Sequence, residues 1–73
     1  MSTKTLVQRL RARRLPPPSA CRAIRKKAGA TQADLAAELG VDRATVSRWE
    51  SGTRYPRGDR AALYGRLLSR MTS

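Results

Sequence analysis

The chain has 73 residues, one cysteine, no histidine and a formal net charge of +11. That length holds one small domain, near the lower limit for a self-sufficient core. This composition cannot supply a Cys–His catalytic pair, a Cys/His zinc site or an internal disulfide, and so large a positive charge points to a polyanionic partner and salt-sensitive association.

The charge is unevenly spread. Residues 1–33 carry nine Lys or Arg and no carboxylate, while Asp34, Glu38, Asp42, Glu50 and Asp59 all follow. Residues 1–15 read as a basic amino-terminal extension. Thr5 to Leu15 holds Leu6, Val7, Leu10 and four arginines. It is expected either as an extra short helix or as a basic arm. In the second case Arg9, Arg11, Arg13 and Arg14 would meet phosphates or a minor groove. A membrane-surface peptide can be this basic, but usually has a broader apolar face. Gln8 and Arg9 interrupt the apolar run, so no secretory signal is read there. No stretch approaches about 20 apolar residues. With a single cysteine as well, the expectation is a cytoplasmic, nucleoid-associated protein with no membrane partner.

The domain itself is expected over residues 16–73 and to be all-α, because no alternating strand pattern occurs. Pro16, Pro17 and Pro18 suit the first turn of a helix, where amide hydrogens are not needed. That helix is expected to reach about Ala28, with Cys21, Ile24 and Ala28 on its inner side. Arg22, Lys26 and Lys27 fall outside, and Gly29 stops it. Cys21 reads as a small buried hydrophobe rather than a nucleophile.

The segment 32–51, QADLAAELGVDRATVSRWES, carries the most information. Its first helix places Leu35, Ala36 and Leu39 on one side. Thr31 caps it, and Gly40 ends it in the left-handed conformation. Val41 tucks under the turn. Asp42 then caps a second helix. At about 100° per residue, Arg43, Ala44, Ser47 and Arg48 share a sector roughly 140° wide. Val46 and Trp49 lie opposite, so Trp49 is read as core rather than as a base-stacking ring. Small Ala36 falls where the two helices cross. Such a pair of helices suits insertion of the second into the major groove of DNA.

Gly52 ends the second helix, and Tyr55 and Pro56 lie in the loop beyond it. Asp59 is expected to cap a last helix reaching about Met71. Leu63, Leu67 and Met71 repeat at i+4 and are expected to close the core, with Tyr64 and Leu68 as a neighbouring stripe. Two adjacent stripes exceed what one small core uses, which suggests a homodimer contact. The expected core is Cys21, Ile24, Leu35, Ala36, Leu39, Val41, Val46, Trp49, Leu63 and Leu67, with Met71 at its edge. No catalytic constellation is visible, so an enzyme is not expected.

From about Ser19 to Met71 the sequence resembles the lambda-repressor and Cro-like (Xre-type) helix-turn-helix family. Gln32, Ala36, Gly40 and Val46 carry the resemblance, with the run Trp49–Gly52 and the pair Tyr55–Pro56. It implies a compact bundle of four helices around a helix-turn-helix, to which the extension is an addition. It implies a regulator of transcription that binds double-stranded DNA, as a small homodimeric repressor of phage or mobile-element type acting by operator occlusion. No cofactor, metal or small-molecule ligand is implied. Base contacts fall to Arg43, Ala44, Ser47 and Arg48. An arginine can hold guanine O6 and N7 together, and an alanine can touch a thymine methyl. Gln32 matches a phosphate-binding residue, and Arg57 a residue that reaches toward the minor groove. Thr31, Thr45, Ser51, Thr53 and Arg54, with Arg11, Arg13 and Arg14 of the extension, complete the expected backbone contacts. The family also implies an ion pair between Arg25 and Glu50. Two other uses fit the same residues: an antitoxin or phage excision factor on the same module, and an architectural or RNA-binding protein working by charge alone.

Overall fold

The protein is described by a computed structural model over residues 15–72. The expected extra helix within Thr5–Leu15, and Arg11, Arg13 and Arg14, lie outside the described residues apart from Leu15 itself. Four helices follow in order: α1 (Pro18–Lys27), α2 (Gln32–Leu39), α3 (Arg43–Ser51) and α4 (Gly58–Thr72). Among the described residues there is no strand, and the domain is all-α. No helix there is long and apolar enough to cross a membrane.

The local chemistry of each boundary is visible. Pro17 occupies the cap position of α1 with no side-chain hydrogen bond, and proline fills the first turn. The helix therefore begins at Pro18, two residues later than the first of the three prolines. Its ring-fixed φ replaces the usual capping side chain. At α2 the Thr31 hydroxyl accepts from the Asp34 amide at 3.0 Å, and the Asp34 carboxylate accepts from the Thr31 amide at 2.9 Å. This reciprocal box satisfies two of the free amides at the helix start. The hydrogen bonds hold the Asp34 carboxyl below its ordinary range.

Gly40 closes α2 at φ +68°, and the Val41 amide donates back to the Ala36 carbonyl at 3.0 Å. A side chain at position 40 would be strained by that φ even though space is open around it. The chain reverses within three residues. Asp42 then caps α3 by accepting from the Thr45 amide at 2.8 Å and the Thr45 hydroxyl at 2.6 Å. These bonds keep its carboxyl ionised to lower pH than usual.

α3 packs on α1 and α2, and α4 packs on the same two helices. The buried core is Cys21, Leu35, Ala36, Leu39, Val46, Trp49, Tyr64 and Leu68. Ile24, Val41, Leu63, Leu67 and Met71 are only partly buried around it. The expected inner row of α4 is thus corrected. Tyr64 and Leu68 point inward, while Leu63, Leu67 and Met71 flank them. Tyr64 offers the larger surface, and its ring meets Trp49 with centroids 5.2 Å apart at 39°. A tilted aromatic pair of that kind adds to simple area burial. On α1 the inner row is Cys21 and Arg25; Ala28 is exposed. Asp59 lies inside the first turn of α4, since the helix begins at Gly58. Its charge still favours that helix end.

Ala36 is 5% exposed in a core shared by α2 and α3. Ala36→Leu should therefore overpack the core and cost about 1–3 kcal/mol. Thermal unfolding followed by circular dichroism checks this, and an unchanged midpoint would contradict the packing described.

Candidate nucleic-acid interface

α3 divides cleanly into two faces. Val46 is fully buried, and Trp49 and Glu50 are buried beside it. Arg43, Ala44, Ser47 and Arg48 are all exposed on the opposite side. The division follows from sequence position, because residues three and four apart share a helix face. The Asp42 cap and the buried Val46, Trp49 and Glu50 anchor the helix while those four side chains face solvent.

Behind the exposed face lies a buried ion pair. Arg25 Nε donates to Glu50 Oε2 at 2.7 Å, and a terminal guanidinium nitrogen donates to Oε1 at 3.0 Å. The other terminal nitrogen donates to the Ala30 carbonyl at 2.9 Å. Gln32 Nε2 gives Glu50 Oε1 a further hydrogen bond at 3.0 Å. One carboxylate on α3 thus gathers donors from α1 and from the first residue of α2. Burial pushes the Glu50 pKa up, but the hydrogen bonds from Arg25 and Gln32 outweigh it, and the carboxyl is held below its ordinary 4.5. The same bonds outweigh desolvation at Arg25 and strengthen its hold on its proton.

Gln32 gains a definite orientation from this contact. Its amide nitrogen carries two hydrogens. One is directed to Glu50, and no other hydrogen bond engages the amide nitrogen among the described residues.

The hydroxyl residues differ from expectation in one respect. The Thr45 hydroxyl already donates to Asp42. Ser51 donates to the Arg48 carbonyl at 3.1 Å, so Thr53 must donate in the 2.7 Å contact between the Ser51 and Thr53 hydroxyls. The Thr31 hydroxyl accepts the Asp34 amide. A phosphate needs donors, and the proton of Thr45, Ser51 or Thr53 reaches one only by leaving its present partner. Arg54 and Arg57 are exposed in the α3–α4 region.

Arg22 was assigned only to the outer side of α1. It is exposed, and it stands three residues before Arg25 on the same face, with Lys26 one turn beyond. Its charge adds to the depression of the Glu50 pKa. The spacing of Arg22, Arg25 and Lys26 at i, i+3 and i+4 was the available signal.

No group of His, Cys, Asp and Glu suited to a metal ion occurs among the described residues. A family model described as helix-turn-helix matches residues 22–69. No curated protein and no solved structure matches the chain.

Removing one partner of the buried pair should be expensive. Arg25→Ala is expected to lower stability by about 3 kcal/mol in denaturant unfolding, because it strands a buried carboxylate. The pH dependence has a definite sign. A carboxyl with a depressed folded pKa stabilises fully above its ordinary value, and that stability is lost as pH falls through the folded value. Stability should therefore decline as pH drops below 4.5, the ordinary glutamate value, with Asp34 and Asp42 adding to the loss. Glu50→Gln should be less stable at pH 7 but show a shallower acid decline. Equal acid slopes in the two proteins would exclude a role for Glu50 in that transition.

Proposed function

The chain belongs to the Xre and lambda-repressor-like helix-turn-helix family, whose members bind DNA and regulate transcription, and from that membership we propose that it is a sequence-specific repressor acting by operator occlusion. The reading is of a binding protein for double-stranded DNA, not of an enzyme. One observation carries it: an α3 face bearing two exposed arginines, Ala44 and Ser47 stands on a fully buried Val46. A helix so mounted presents guanine-binding forks in fixed register.

We assign base contacts to Arg43, Ala44, Ser47 and Arg48. Backbone contacts fall first to Gln32, through its second amide hydrogen, and to Arg54 and Arg22. Arg57 reaches toward the minor groove. Thr31, whose hydroxyl only accepts, offers its proton directly, whereas Thr45, Ser51 and Thr53 contribute only where their present hydrogen bonds rearrange. The basic extension, residues 1–15, adds phosphate contacts through Arg11, Arg13 and Arg14, and residues 16–73 form the reading domain. Phosphate contacts set position, and base contacts set sequence. A homodimer is proposed through α4, where Leu63, Leu67 and Met71 remain partly uncovered outside the core. Two copies would then read an inverted repeat. The size and basicity suit a phage or mobile-element regulator.

Selection of bound duplexes from a random pool at about 150 mM salt tests the reading. An inverted repeat with guanines in each half-site is the expected result. A single half-site would overturn the dimer. No enrichment would overturn sequence-specific regulation and favour an architectural or RNA-binding role resting on the +11 charge. Within a selected duplex, Arg43→Ala should lose about 1–3 kcal/mol of discrimination at one base pair. Arg22→Ala should weaken all duplexes alike and reduce the log–log salt slope by about 0.9. Equal loss of specific and random binding in both variants would refute this division of roles.

A further inference from the structure

The recognition helix is held at two ends by different means. Its carboxyl-terminal half is fixed by the Glu50 network and by Trp49 in the core. Its amino-terminal end hangs on the turn at Gly40–Asp42, which packs through a half-buried Val41. The carbonyls of Ala36 and Ala37 accept the amides of Gly40 and Val41. Those of Leu39 and Gly40 point to a different partner. Arg60 of α4 directs Nε to the Leu39 carbonyl and a terminal nitrogen to the Gly40 carbonyl, each at 3.4 Å. The guanidinium fork therefore spans two successive carbonyls at the negative end of α2. A cation is favoured there by the helix dipole as well as by the long hydrogen bonds. Gly40 stands two residues before Asp42, the cap of α3. The other inward side chains of α4, Tyr64 and Leu68, reach the domain through apolar packing.

We propose that Arg60 is a positioning residue for DNA reading: its fork across the Leu39 and Gly40 carbonyls holds the turn that carries the capped start of α3, and so fixes where Arg43 meets its base. The proposal rests on the DNA-binding reading above. Arg60 is exposed and basic, so direct phosphate contact is the competing role. The two roles separate physically. A phosphate contact is served by any cation and contributes to the salt slope. A carbonyl fork needs the planar guanidinium and leaves that slope alone. The effect should also be local. Arg43 is the first residue of α3 and follows the tethered turn, whereas Arg48 lies over the Glu50 end.

The test compares Arg60→Ala and Arg60→Lys with the unaltered full chain, using a selected duplex and a random duplex of equal length. Both variants should lose about fivefold in the ratio of specific to random affinity, with the salt slope unchanged. Arg60→Ala should show coupling with Arg43→Ala, and simple additivity with Arg48→Ala. Rescue by Arg60→Lys, or a slope reduced by about 0.9, would make Arg60 a phosphate contact and overturn the proposal. Amide exchange in the free protein gives an independent readout. Arg60→Ala should speed exchange at Val41 and Thr45; unchanged rates there would also overturn it. If the unaltered chain shows no preference among duplexes, the sequence-specific reading fails. The tie at Arg60 is then decided by the exchange rates alone.

Discussion

The bidentate contact between Arg25 and Glu50 is the constraint on which the rest depends. It joins three helices through one carboxylate: Arg25 from α1, Gln32 from the start of α2, and Glu50 on α3. A core of eight buried apolar side chains among the described residues, in a chain with no phenylalanine, is thin for setting helix orientation by packing alone. Packing tolerates small rotations. A guanidinium–carboxylate fork does not, because both groups are planar and both bonds fail together. Such a pair gains little net stability over an apolar substitute, since desolvation offsets attraction. Its value is geometric.

That geometry bears directly on function. Reading a base pair requires a side chain to arrive within hydrogen-bonding distance at a fixed angle. Glu50 lies two residues beyond Arg48 and on the face behind it. The carboxylate that anchors α3 also orients the Gln32 amide, so the residues proposed to grip the backbone and to read bases share one support. The charge of exposed Arg22 on α1 adds to the depression of the Glu50 pKa. The hydroxyl residues belong to a different economy. Thr45, Ser51 and Thr53 commit their hydroxyl protons within the chain, and Thr31 commits a hydroxyl lone pair to the start of α2. Several residues that resemble a contact list are therefore first of all caps, and caps decide where each helix starts.

The two ends of α3 are thus secured by unlike forces. One end is a buried ion pair, shielded from solvent and salt. The other is a glycine turn with long, exposed hydrogen bonds from Arg60. At 3.4 Å and in contact with solvent, these bonds are long and individually weak.

Much of this was legible in the sequence. The caps at Thr31 and Asp42, the turn at Gly40 and the two faces of α3 follow from local rules, since each depends on residues at most four apart. The family resemblance supplied the Arg25–Glu50 pairing, which no local pattern contains. The capping box at Thr31 was visible only in half, because aspartate stands where glutamate or glutamine is usual. Tertiary structure alone decided the rest. The register of α4 was ambiguous because two apolar stripes adjoin. Only the meeting of Tyr64 with Trp49, 15 residues apart in sequence but 5.2 Å apart between centroids, chose the inner one. The reach of Arg60 to the Leu39 and Gly40 carbonyls was equally hidden, because periodicity marks which face of a helix is apolar but not which distant carbonyl a long exposed side chain will find. The sequence by itself determined where helices begin, end and turn; the tertiary structure decided how they are rotated against one another, because rotation is set by contacts between residues far apart along the chain.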